Sequence, residues 1–163
     1  MDCPKVEPQK EHHWLAQLVG EWECEMECSM GPDQPPGKFT SKESVRSPGG
    51  VWALCEGRSE MPDGGEATTL LTLGYDPAKK KFVGTFIGSM MTHMWVYEGE
   101  MDATGKVLTL NTEGPSFATP GKLAKYQDVL EVKDANHRVL SSQFQSEDGQ
   151  WHRFMTANYR RVA

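Results

Sequence analysis

The sequence predicts an all-β protein, a closed antiparallel up-and-down barrel of about ten strands with a short N-terminal helix closing one end. Three observations carry this reading. From Gly20 to Met30, Trp22, Cys24, Met26, Cys28 and Met30 fall on one parity, and Glu21, Glu23, Glu25, Glu27 and Ser29 on the other. Strand side chains alternate between faces, so this stretch is a strand with one apolar and one acidic face. Turn-forming clusters then recur roughly every 8–14 residues, with no helical patterns alternating between the strands. The turns are short, which pairs each strand with its sequence neighbour, and closure removes exposed sheet edges.

The elements follow in order. Met1 to Lys10 carries Pro4 and Pro8 and no apolar core. It reads as a flexible tail (1–10) and not as a secretory signal, leaving 11–163 as one barrel domain. Glu11 to Val19 places Trp14, Leu15 and Leu18 at helical spacing with Gln17 on the wet side. Gly20 ends that helix and releases the first strand. Pro32, Pro35 and Pro36 make the next segment a loop. Lys38 to Arg46 is polar, with Phe39 and Val45 as its apolar points, and reads as a strand against water. Ser47 to Gly50 is a turn.

Val51 to Glu60 is a third strand with an untidy pattern. Trp52 and Leu54 share a face with Glu56 and Arg58. That face either buries the Glu56/Arg58 pair or exposes Trp52. The two charged residues, about 6.8 Å apart along the strand, project the same way. Inside a barrel they would orient a polar head group, and outside they would form a solvated ion pair. Met61 to Gly65 turns the chain into the Thr/Leu-rich strand Ala67 to Tyr75. A hairpin over Pro77 and Lys79-Lys80-Lys81 returns through Phe82 to Gly88. Ser89 to Thr92 breaks the rhythm, which resumes to Met101. Strands follow at Lys106 to Asn111 and Lys122 to Val132, the second with Tyr126, Asp128, Leu130 and Val132 on one parity. His137 to Gln145 and Gln150 to Arg161 form the last hairpin.

Composition limits the function. A 163-residue chain suits one domain, and such a domain buries roughly 70% of its unfolded surface. The net charge of -6 argues against a nucleic-acid partner, which needs Lys and Arg to neutralise phosphates. No apolar run approaches the roughly 20 residues that span a bilayer, so no membrane association is expected. Cys24 and Cys28 lie about 13 Å apart on one strand, too far for a disulfide or a shared metal ion. The cysteines are expected to act as small buried hydrophobes in a reducing, cytoplasmic setting.

Gly20-Glu21-Trp22 after a short helix resembles the Gly-x-Trp signature that opens calycin barrels: lipocalins, fatty-acid-binding proteins and nitrobindin-like proteins. In those families the Trp packs at the closed end beneath an Arg from near the end of the last strand. Gly20 and Trp22 match, and Tyr159-Arg160-Arg161 offers the Arg. Arg160 is the first choice because it shares parity with Phe154, and Arg161 is the second. Over residues 12–161 the chain also resembles an uncharacterised bacterial family known only as a domain of unknown function. The likeness is carried by His13 to Trp22, Gly74 to Phe82, Trp95-Val-Tyr-Glu-Gly-Glu, Leu108-Thr-Leu through Gly114-Pro115, and Phe154-Met-Thr-Ala-Asn-Tyr-Arg-Arg. It implies the fold and brings no established activity.

Candidate chemistry concentrates in Met90-Met91-Thr92-His93-Met94-Trp95-Val96-Tyr97. Met, His and Tyr near a barrel mouth would line an apolar pocket or ligate haem, which the nitrobindin-like resemblance raises slightly. The expected ligand-binding set is Arg58, Phe86, Met90, His93, Trp95, Tyr97 and His152, with the Met-rich segment as an adaptable wall or gate. His12 and His13 read as solvated surface, and His137 as serving its turn. The sequence holds no H-E-x-x-H, paired C-x-x-C, C-x-x-C-H or G-x-S-x-G, and neither a catalytic set nor a metal site is expected. The reading is a barrel that binds a small apolar or amphipathic molecule, with no cofactor. One alternative is a haem-binding or enzymatic barrel using His93 or His152. The other is a filled barrel acting as a homodimeric interaction module.

Overall fold

A computed structural model of the chain describes residues 3–29, 35–61 and 63–163. The expected end of the first strand at Met30, the loop's Pro32 and the start of the tail lie outside those residues. One helix, α1 (Lys10–Ala16), precedes ten strands: β1 (Gly20–Cys28), β2 (Gly37–Arg46), β3 (Trp52–Glu60), β4 (Glu66–Asp76), β5 (Lys81–Gly88), β6 (Trp95–Met101), β7 (Val107–Pro115), β8 (Leu123–Asp134), β9 (His137–Gln145) and β10 (Trp151–Arg161). Each strand pairs antiparallel with its sequence neighbour, and β10 returns to β1 to close the barrel. No helix among the described residues is long and apolar enough to cross a membrane.

Register fixes which side chains face inward. On β1 these are Trp22, Cys24, Met26 and Cys28, and their pairing partners on β10 are Arg161, Tyr159, Ala157 and Met155. The β1 glutamates stay exposed outside. The third strand resolves its conflict outward. Trp52 is 44% exposed and its ring lies over Gly74. Glu56 and Arg58 form a 3.1 Å ion pair on the outer wall.

α1 closes one end. Leu15 and Leu18 plug it with 0% and 1% exposure. His12, expected at the surface, is buried. Its Nδ1 accepts the Gln9 N–H (2.9 Å), and its Nε2 donates to the Tyr75 carbonyl (3.0 Å). This ties the helix to β4, and His13 alone remains exposed. His137 pairs with Asp134 across its turn, and its Nε2 also donates to Asn158 Oδ1 on β10 at 3.1 Å.

The floor pairs Trp22 with arginine, as the calycin resemblance implies, but Arg161 replaces the first-choice Arg160. The Arg161 guanidinium lies 4.3 Å from the Trp22 ring. It donates to the carbonyls of Ala135 (2.9 Å), Gln17 (2.7 Å) and Val19. Gly20 has φ 142°, and a Cβ there would run into this guanidinium, which is why the motif begins with glycine. Arg160 sits opposite Glu23 on the outer wall. The parity argument from Phe154 fails because a bulge between Arg153 and Met155 shifts the register. An extra residue moves every side chain beyond it to the other face.

Candidate functional site

Next to α1, the inward-facing Ala53, Leu73, Phe82, Leu108, Leu110, Leu130 and Ala157 are at most 2% exposed. Toward the other end, the inward-facing Met26, Ser41, Thr69, Phe86, Trp95, Thr112, Asp128 and Met155 are only partly buried. Partly exposed inward-facing side chains occur at both ends, since Tyr75, Met101 and Val132 next to α1 share that exposure, while Ala67 and Tyr126 toward the other end are buried. The end that α1 does not cover is the open end.

Aromatic rings ring the open end. Trp95 on β6 meets His93 at 4.7 Å and Tyr126 on β8 at 5.0 Å, both edge-to-face. Phe117, from the β7–β8 connection, reaches Tyr126 and Phe154, each at 5.5 Å. Phe144 stacks on His152 at 5.2 Å. Edge-to-face contacts set the electron-poor rim of one ring against the face of the next. Tyr126 is fixed by its hydroxyl, which donates to the Pro115 carbonyl at 2.6 Å. The Trp95 ring covers Gly114, where a Cβ would overlap it. Over Gly88 sits the Met90 sulfur. The turn that carries it is held by Ser89, whose N–H donates to Thr68 O (2.8 Å) and whose hydroxyl accepts the Thr68 N–H (2.9 Å).

Between the mouth and the buried leucines lies a polar group drawn from three strands. The Tyr97 hydroxyl (β6) donates to Asp128 Oδ2 (β8), and the Ser142 hydroxyl (β9) donates to Oδ1, both at 2.6 Å. Asp128 takes part in none of the ion pairs among the described residues. Burial pushes its carboxyl above the ordinary carboxylate range, against the pull of the Ser142 and Tyr97 hydrogen bonds. Burial, reinforced by the Asp128 charge, pushes the Tyr97 phenol far above its ordinary value, so it stays a donor. One pairing step nearer the mouth, Thr112 Oγ1 is buried without a partner, as is His93 Nε2.

The raised Asp128 pKa has a consequence for stability. A folded state that binds this proton more tightly than the unfolded chain gains stability as pH falls from neutrality through the folded pKa, and loses it on the way back up. Asp128→Asn removes the neutral-pH cost. Its melting temperature at pH 7 is expected to equal or exceed the wild type's, and the difference should shrink toward pH 4. Calorimetry of both proteins across that range checks the sign.

Deeper still, Arg138 (β9) and Glu43 (β2) form an ion pair with 2% and 8% side-chain exposure. The guanidinium lies 4.7 Å from the Trp22 ring and 3.9 Å from the Tyr159 ring. Burial alone would lower the Arg138 pKa, but Glu43 beside it more than offsets this and holds the charge. Burial pushes the Glu43 carboxyl up, against Arg138. Burial likewise raises the Cys24 and Cys55 thiols. Protonated and enclosed, they are not nucleophiles.

Of the residues expected at a ligand site, Phe86, Trp95 and Tyr97 face the interior, and Met90, His93 and His152 gather at the open end. His152 is exposed there, 2.9 Å from the Ser146 hydroxyl. Arg58 lies apart on the outer wall, because its strand turns that parity to solvent. Ser142, Glu43 and Arg138 were not expected inside, and Asp128 stood open between an interior polar group and a solvated outer-wall residue. Asp128 carried a readable signal, a carboxylate sharing parity with Tyr126, Leu130 and Val132; Glu43 carried a weaker one with Phe39 and Val45. A cleft of about 630 Å³ also lies between α1 and the barrel rim, lined in part by Trp14, Tyr75 and Met101. Trp14 Nε1 already donates to the Gly105 carbonyl there at 2.8 Å.

Solved structures share this architecture. Rv2717c from M. tuberculosis aligns with a TM-score of 0.67 and 13% identity, covering 96% of this chain and 100% of its own. The S-type phycobiliprotein lyase CPES from Guillardia theta aligns at 0.56 and 14%, covering 96% of this chain and 99% of its own. At such identities the likeness shows the fold. No curated protein matches the sequence. Residues 7–161 match a family known as "Protein of unknown function (DUF1579)", and the chain belongs to that family.

Proposed function

We propose that this protein binds a small apolar or amphipathic molecule in the open half of its barrel. The observation that supports this most is the set of partly exposed, inward-facing apolar side chains at the end that α1 does not cover, Met26, Phe86, Trp95 and Met155. Binding sites of this kind combine apolar and aromatic walls with a few placed polar groups. Here the walls are Phe86, Trp95 and Tyr126, and the polar groups are Asp128, Ser142 and Thr112. A cytoplasmic setting accompanies the reading, since the cysteines are free thiols. N-phenyl-1-naphthylamine, a neutral apolar dye, should fluoresce more strongly on addition of the protein. Met155→Trp, which fills the open half, should weaken that binding about tenfold or more. A dye that stays dark with the wild type contradicts the proposal.

Haem is the second reading, and one atom favours it: the buried, unpartnered Nε2 of His93. His93 is the residue that fits an axial ligand, since His152 is exposed and already engaged by Ser146. The group would supply iron-centred redox or gas-binding chemistry. Haemin titration separates the readings. A shifted Soret band that His93→Ala abolishes favours haem, and an unchanged spectrum removes it.

A further inference from the structure

We infer that the bound molecule carries a positively charged head, a protonated amine on a planar apolar body, and that Asp128 holds that head. This rests on the ligand-binding reading above and names the ligand class that the site takes. The argument begins with charge. Buried charges are normally paired with an opposite charge, and the other carboxylate inside the barrel, Glu43, has Arg138. Asp128 has two hydroxyl donors and no cation among the described residues.

Hydrogen-bonding capacity points the same way. A carboxylate accepts about four hydrogen bonds, and Asp128 receives one on each oxygen. Capacity therefore remains for further donors, and the residue is partly exposed. The Tyr97 and Ser142 hydroxyls fix the carboxylate plane, so the acceptor is set before a ligand arrives. Nearby positive charge is committed elsewhere. Arg138 is spent on Glu43, and Arg161 on three backbone carbonyls at the floor. An anionic head entering this half would meet Asp128 with no free arginine to offset it. A cationic head would gain the pairing that the fold withholds. The aromatic mouth suits the rest of such a molecule, because Trp95 and Phe154 are partly exposed there and give aromatic surface to a planar body and, in passing, to its charge.

Three probes that share one ring system and differ only in the head test this: 1-naphthylmethylamine, 1-naphthylmethanol and 1-naphthoate, titrated calorimetrically at pH 7. The amine should bind about tenfold or more tightly than the carboxylate, with the alcohol between them. Asp128→Asn should abolish the amine's advantage over the alcohol. The inference is overturned if 1-naphthoate matches or exceeds the amine on the wild type, a comparison that needs no variant. It is also overturned if the amine's preference survives in Asp128→Asn. If none of the three binds, the ligand-binding reading itself falls. If all three bind alike, that reading stands and only the charged head is lost.

Discussion

Arg138→Leu should destabilise the fold by about 3–5 kcal/mol, because it leaves a carboxylate buried without its partner. Glu43 has nowhere else to turn: it is enclosed by Trp22 on β1 and Gly57 on β3, and Arg138 is the residue that it pairs with. The guanidinium also fills the gap between the Trp22 and Tyr159 rings, so leucine forfeits two cation–π contacts as well. The double variant Glu43→Leu/Arg138→Leu should recover most of the loss, since replacing both charges together removes the desolvation cost along with the attraction. Denaturant unfolding of the wild type, both singles and the double closes the cycle. Equal losses in the single and double variants would mean that Arg138 acts through volume alone.

Trp22→Ala carries the second large effect, about 3–5 kcal/mol. The indole is 2% exposed, and its Nε1 donates to the Leu18 carbonyl at 2.9 Å. It therefore joins the chain that follows α1 to the barrel floor. Two arginines lie over its ring, Arg138 from β9 and Arg161 from β10. Trp22→Phe should cost less, keeping a ring beneath the guanidinium groups while losing the Leu18 hydrogen bond. A loss below about 1 kcal/mol for Trp22→Ala would show that the floor does not depend on this side chain.

The barrel was legible because its signal is local. Alternation along Gly20 to Met30 and the spacing of turns are properties of neighbouring residues, and neighbour-to-neighbour pairing needs nothing else. What escaped was set by distant partners or by one irregular residue. Glu43 sits in a polar stretch between Lys42 and Ser44, and only Arg138, on the far side of the sequence, makes it an interior residue. The partner of His12 is the Tyr75 carbonyl, which no pattern near His12 announces. The bulge before Met155 inverted the parity from which Arg160 was preferred over Arg161. Phe86, Trp95 and Tyr97 face the interior because each lies on a regular strand whose alternation is unbroken. The sequence left Asp128 open, because a lone carboxylate among apolar neighbours reads as easily as an outer-wall residue.

The central claim is that the half of the barrel away from α1 is hollow and takes up a molecule. Methyl NMR during titration with N-phenyl-1-naphthylamine tests it most directly. Signals of Met26 and Met155 should move, while those of the sealed Leu73, Leu108 and Leu130 hold still. Unmoved Met26 and Met155, with shifts instead at the exposed outer-wall residues Ile87 and Val96, would contradict it.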